Sequence, residues 1–233
     1  GGFEAMVGAF ASRVKARVET GWEVQSVRFA DEHWHVMSKS GEERLYDELV
    51  STIPIHDLIP IWDGAPPKAK EAASRLRYNS LINVVIGCSE DRGYPYTALY
   101  VPDEDILFHR LSFPKAFSEK CVPAGHSSVM AEITTNEGDG VWELSDEEVT
   151  QRVIDDLVKI DFVDPSTIVY KRVVRFRYGY PVYDLEYRRN VTAMRAAVES
   201  AGLHLLGRFA QFDYINSDVC VERALALAPK LYG

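Results

Sequence analysis

No Gly-x-Gly-x-x-Gly turn follows any strand-like run of this 233-residue chain. The glycine fingerprint that cradles a dinucleotide pyrophosphate is therefore missing from it, together with the acidic partner for the ribose. Apolar runs stay well short of membrane-spanning length, which excludes a helical span. Dense Lys/Arg blocks are also lacking, and 35 acidic against 26 basic residues give a net charge of −9. That balance excludes a non-specific nucleic-acid binder and predicts a soluble acidic protein. Cysteine is scarce: Cys88, Cys121 and Cys220 are an odd number without metal-ligand spacing. Cys88 closes an apolar run and Cys220 falls in a helical one, which predicts buried thiols in a reducing, cytoplasmic setting. His33 and His35 flank Trp34 on one face of a strand-like run, with no carboxylate or cysteine cluster beside them, and read as solvent-facing residues rather than metal ligands. Internal repeats and low-complexity segments are absent.

What is present alternates between strand and helix periods. Phe3, Met6, Val7, Phe10, Val14 and Val18 recur at helical spacing and leave Arg13, Lys15 and Arg17 outside, an amphipathic helix over residues 3–18 preceded by Gly1-Gly2. Strand-like runs follow at 22–29, 34–38 and 45–53, joined by short polar turns that favour antiparallel hairpins and ended by Pro54. Pro66-Pro67 opens a helix reaching about residue 77. Residues 80–87 are almost wholly apolar, as in a central strand, and runs at 96–101, 106–111 and 127–134 predict further strands of a largely antiparallel sheet. Ser145-Asp146-Glu147-Glu148 is a capping box, and Val149, Val153, Ile154, Leu157 and Ile160 give the helix behind it one apolar face. A β-rich run at 167–176 leads into Tyr178-Gly179-Tyr180-Pro181, and a helix over 190–200 ends at Gly202. With no clean linker, the alternation predicts one continuous α+β unit.

The most informative stretch comes last. Leu203-His204-Leu205-Leu206 is a strand-length run ending at Gly207, an aromatic and polar loop follows, and Ser217 or Asp218 can cap a terminal helix. A helix N-terminus reached through such a loop presents backbone N–H groups and partial positive charge, suited to a phosphate or an electron-rich ring oxygen, and Arg208 adds a full charge beside it. On pattern alone the stretch also reads as an ordinary strand-to-helix connection with Arg208 at the surface.

The run Gly207-Arg208-Phe209, with Tyr214 and Asp218 beyond it, resembles the C-terminal flavin-binding segment of the FAD-dependent amine oxidase superfamily. It is most similar to UDP-galactopyranose mutases and protoporphyrinogen-oxidase-like proteins. The three runs ending in Val50-Ser51-Thr52-Ile53-Pro54 resemble the β-meander that rejoins the FAD-binding domain of that superfamily, with Val24 at the position whose backbone meets the adenine. Leu107-Phe108-His109-Arg110 resembles the mutase strand whose arginine holds the substrate pyrophosphate. Tyr178-Gly179-Tyr180-Pro181 resembles the segment whose tyrosine reaches the same phosphates, and Arg208 and Tyr214 match a second such pair. Phe117 stands where mutases tend to carry a substrate-contacting tyrosine, and Val182-Tyr183-Asp184 lacks the second proline of the eukaryotic type.

The resemblance implies an α+β fold in which residues 1–60 are a partial, Rossmann-like FAD-binding domain with a β-meander. Residues 61–200 would then be a substrate-binding antiparallel sheet with helices, and 201–233 a flavin-contacting strand, loop and helix. It implies FAD as cofactor, bound by Val24, Gly207, Arg208, Asn216, Ser217, Asp218 and Val219. A small-molecule substrate, a UDP-sugar in the mutase reading, would be held by Arg110, Tyr180, Arg208 and Tyr214; paired arginine forks and phenols suit a diphosphate. The flavin N5 atom would carry the chemistry, with no side chain assigned as catalytic. The alternatives are an amine oxidase, protoporphyrinogen oxidase or desaturase type of oxidoreductase, and a non-catalytic fragment. Because the family places its glycine fingerprint ahead of everything found here, the chain is read as a C-terminal portion that partners a missing N-terminal half.

Overall fold

Alternating apolar positions, proline breaks and caps set the order of elements. The computed structural model describes residues 2–232. Helix α1 (Gly2–Ala11) precedes strands β1 (Val24–Ala30), β2 (His33–Ser38), β3 (Glu43–Tyr46) and β4 (Leu49–Ser51). Helix α2 (Ile55–Ile61), the short β5 (Trp62–Asp63) and helix α3 (Pro67–Ser74) lead to the long β6 (Arg77–Cys88). Strands β7 (Ala98–Tyr100) and β8 (Arg110–Ser112), helix α4 (Pro114–Phe117) and strand β9 (Ser127–Thr135) follow. The remainder is α5 (Asp146–Lys159), β10 (Ile168–Val182), α6 (Tyr187–Ser200), β11 (Leu203–Leu205) and α7 (Ser217–Tyr232). These elements form an α+β fold with mixed sheets.

Two compact units result, where the sequence predicts one: residues up to Val18 with Asn79–Gly179, and Glu19–Tyr78 with the chain from Tyr180 onward. The divisions fall inside β6 and β10, within regular strands. That is why no Gly- or Pro-rich linker marks them in the sequence.

The first unit is built on a five-stranded sheet in the order β10-β6-β9-β8-β7. Strands β6 and β9 pair antiparallel from Ser80↔Thr135 to Cys88↔Ser127. Ile82, Val84 and Ile86 with Val129, Ala131 and Ile133 bury one face against Val149, Val153 and Leu157 of α5. The capping box forms as predicted, with Ser145 accepting from the Glu148 N–H at 3.2 Å and Glu148 accepting from the Ser145 N–H at 2.8 Å. Of the strand expected over 106–111 only its end joins the sheet, as β8; Phe108 is instead fully buried ahead of it. Gly179 lets β10 lie close to β6, because a Cβ there would come within 2.5 Å of the Leu81 side chain and 2.9 Å of the Asn79 carbonyl. Helix α1 ends earlier than its apolar period, and none of its described residues is buried: Phe3 is 70% and Phe10 54% exposed.

The second unit contains the predicted meander, β3-β2-β1, with β5 added parallel to β1. The third expected strand splits at Asp47-Glu48. Its first half pairs antiparallel with β2, while its second half leaves that sheet to pair in parallel with β11. Helix α2 was not legible in the sequence, since Pro54 precedes it and Pro60 falls within its last turn; burial of Ile55 and Leu58 holds it. Trp34, Trp62, Met194 and Phe212 form the core with these residues, and α3 packs on α6. Of the three cysteines only Cys88 is buried, a correction to the expectation: Cys121 lies exposed in a 3-10 turn and Cys220 is half-buried.

Candidate functional site

Within the second unit, three residues singled out in the sequence meet. The Arg208 guanidinium lies 5.5 Å from the ring centre of Tyr180 and 5.3 Å from that of Tyr214, and the two rings stack 5.3 Å apart at 23°. Tyr180 comes from β10; Arg208 and Tyr214 belong to the loop between β11 and α7. A planar cation against aromatic faces is a favourable contact and fixes the plane of the fork. Arg208 Nε also donates to the Ile215 carbonyl at 2.8 Å, and Nη2 to Asn216 Oδ1 at 3.4 Å. The arrangement presents a fixed cation at the start of α7, whose first residues Ser217 and Asp218 are exposed. The Cys220 N–H donates to the Asn216 carbonyl at 3.1 Å. Asn216 therefore stands at the cap, ahead of both Ser217 and Asp218, the two cap positions the sequence suggests.

The loop is set by side chains that sequence reasoning missed. Gly207 takes φ +95°, the left-handed turn that leaves β11. Phe212 adopts φ +50° with its ring buried beside His56 and Phe209, a conformation a non-glycine residue keeps only where its surroundings demand it. The demand is visible. Tyr187 donates to the Phe212 carbonyl at 2.8 Å and Arg195 Nε to the Gln211 carbonyl at 2.6 Å. The Tyr183 hydroxyl donates to Asp213 Oδ1 and accepts from the Tyr214 N–H, each at 2.7 Å. Arg223 Nη2 meets Asp213 Oδ2 at 2.7 Å. Burial alone would raise the Asp213 pKa, but the hydrogen bonds from Tyr183 and Arg223 and the charges of Arg195 and Arg223 hold it below the ordinary carboxylate value. The signal for this role was an acid set between Phe212 and Tyr214 in a loop already under suspicion.

Arg110 belongs to the first unit, on β8, opposite Glu132 of β9. Its Nη2 donates to Glu132 Oε2 at 2.5 Å, and His109 Nε2 lies 3.2 Å from Oε1 of the same carboxylate. Glu132 is only 3% exposed, and it could have been noticed as a lone charge inside the apolar run Val129-Met130-Ala131-Glu132-Ile133.

Val24 begins β1 opposite Ser38 and lines a 790 Å³ groove with the apolar Trp22, Ile53, Pro60 and Ile61 and the polar Glu23, Gln25, Lys39 and Asp57. The groove at Val24 thus mixes apolar walls with charged side chains, and the exposed start of α7 stands beside Arg208. His33 and His35 are engaged otherwise, His35 with Arg28 and Glu43, His33 with Asp47.

The meander, the five-stranded sheet and the strand-loop-helix make an α+β fold of the kind found in flavin-containing amine oxidoreductases. Residues 1–205 match the family described as flavin containing amine oxidoreductase, and the chain belongs to that family. No curated protein sequence matches it. Similar solved structures include a reduced UDP-galactopyranose mutase, at 23% identity and TM-score 0.71, covering 82% of this chain and 41% of that one. An Exiguobacterium protein described as a protoporphyrinogen oxidase gives 18% identity and TM-score 0.72 over 89% and 46%. A CLA-producing fatty acid isomerase from P. acnes gives 18% and 0.70 over 99% and 52%. The chain thus spans about half, or less, of the length of these structures, and at such identities the likeness concerns the fold. Among the described residues no helix is long and apolar enough to cross a membrane.

Proposed function

We propose that this chain is the C-terminal portion of an FAD-dependent enzyme that acts on a nucleotide sugar in the manner of UDP-galactopyranose mutases. The observation that carries the reading is the Arg208 guanidinium flanked by the phenols of Tyr180 and Tyr214 beside the start of α7. A planar fork and two hydroxyl donors match the oxygens of a diphosphate, which is why this chemistry is favoured over a neutral substrate. Tyr180, Arg208 and Tyr214 bind and orient the diphosphate; Arg110, in the other unit, is assigned a phosphate contact of its own. Residues 201–233 serve as the flavin-contacting segment, with Gly207, Arg208, Asn216, Ser217, Asp218 and Val219 along the ring system and Val24 at the adenine. The bound flavin supplies the reacting nitrogen. The chain's own contribution is to keep the departing nucleotide in place for its return.

The second reading, a hydride-removing oxidoreductase, is favoured by the family's own description. The two separate in one experiment on the full-length protein: its flavin is reduced anaerobically, UDP-galactopyranose is added, and the furanose is sought by chromatography. Furanose formed by the reduced enzyme alone supports the mutase; no product together with no UDP binding moves the assignment to the oxidoreductase.

A further inference from the structure

Glu132 is the most costly side chain of the first unit to bury. It sits in the middle of β9 at 3% exposure, between Ala131 and Ile133, whose side chains fill the opposite face. Across the sheet its register partners are Asn83 on β6 and Arg110 on β8. An apolar residue would keep the strand pairing, and a buried ion pair adds little net stability over such a replacement. The buried charge therefore serves orientation rather than folding.

The geometry says what is oriented. The carboxylate is the fixed centre: Oε2 takes Arg110 Nη2 at 2.5 Å, and Oε1 faces His109 Nε2 at 3.2 Å. The Glu132 backbone carbonyl accepts the His109 N–H at 3.1 Å, so the same residue holds main chain and side chain of the segment that delivers Arg110. An ionised carboxylate only accepts, so His109 Nε2 is the nitrogen that donates to it, while Nδ1 lies 3.3 Å from Thr134 Oγ1. Arg110 and His109 are the partly exposed members, at 26% and 39%, and Glu132 lies beneath both.

We infer that Glu132 is a positioning residue that presets the Arg110 guanidinium for an anionic substrate group. The inference rests on the phosphate-contact reading of Arg110 and deepens it, because a preset fork does not have to be ordered when the ligand arrives. The ionised state that the role requires agrees with the direction of the carboxyl's shift. Burial opposes ionisation, yet hydrogen bonding from His109 and the Arg110 charge hold the pKa below the ordinary value.

The test uses the full-length flavoprotein and UDP as the probe, with affinity measured by calorimetry. Glu132→Gln should weaken UDP binding roughly tenfold, whereas in an Arg110→Ala background the same substitution should change it less than about twofold. Glu132→Asp should recover part of the loss. Equal losses in both backgrounds, or unchanged affinity in folded Glu132→Gln, would overturn the inference. A second readout separates it from the substrate reading: the phenylglyoxal modification rate at Arg110, followed by peptide mapping. If the wild-type protein binds no UDP, the nucleotide-sugar reading fails, yet several-fold faster modification of Arg110 in Glu132→Gln still supports positioning; an unchanged rate refutes it. Should Glu132→Gln not fold, Glu132→Asp carries both readouts.

Discussion

Arg208 shows how one side chain can be held from several directions. Its fork is packed against Tyr180 and Tyr214 and tied to the Ile215 carbonyl. Arg208→Lys keeps the charge but loses the planar stack, so UDP affinity of the full-length protein should fall about tenfold, and Arg208→Ala should lower it further. An affinity unmoved by either substitution would remove the phosphate role. Asp213 acts one step back, through Tyr183, Arg195 and Arg223. Its folded pKa lies below the ordinary 3.8. The carboxylate therefore adds stability that is complete above the unfolded value and lost as pH falls through the folded one. Melting temperatures of wild type and Asp213→Asn should accordingly differ most near neutral pH and converge in acid; a gap that persists at low pH would contradict the ion network.

At the scale of elements, local chemistry and close packing can be tested separately. The Ser145 capping box is a local device, and Ser145→Ala should cost about 1 kcal/mol in denaturant unfolding. Gly179 is a packing device: the approach of β10 to β6 leaves no room for a side chain. Gly179→Ala should cost roughly 1–3 kcal/mol, and Gly179→Val more, by the same measurement. If the alanine proved as stable as wild type, the close approach at Leu81 and Asn79 would not be what selects glycine there. Helix α1 carries the opposite lesson. It is amphipathic in sequence, yet Phe3, Val7 and Phe10 stay exposed.

Across the whole molecule, two units of similar size each enclose a core, and the chain spans about half or less of its solved structural relatives. The 233-residue chain on its own should therefore retain no stoichiometric FAD after desalting, read from flavin absorbance, and should bind an apolar dye through the face of α1. Phe3→Ser with Phe10→Ser should reduce the dye signal without shifting the melting temperature. Tight one-to-one flavin retention by this chain would show that the second unit's groove and helix start suffice for the cofactor.

Periodicity and caps by themselves determined where most elements lie: the α5 capping box, the apolar run of β6, the strand runs of the meander and the strand, loop and helix around Arg208 all show as patterns only a few residues long. The α+β class was legible for the same reason. The tertiary structure alone decided what depends on partners distant in sequence. Leu49–Ser51 leaves the meander because β11, far along the chain, offers a parallel edge, and α2 forms despite Pro60 within it because the core buries Ile55 and Leu58. Tyr183 holds Asp213 and the Tyr214 N–H from thirty residues away, and Glu132 meets Arg110 only through strand register. A side chain's neighbours along the chain are written in the sequence; its neighbours across a sheet or a loop exist only once the backbone has folded and the cost of burying them has been met.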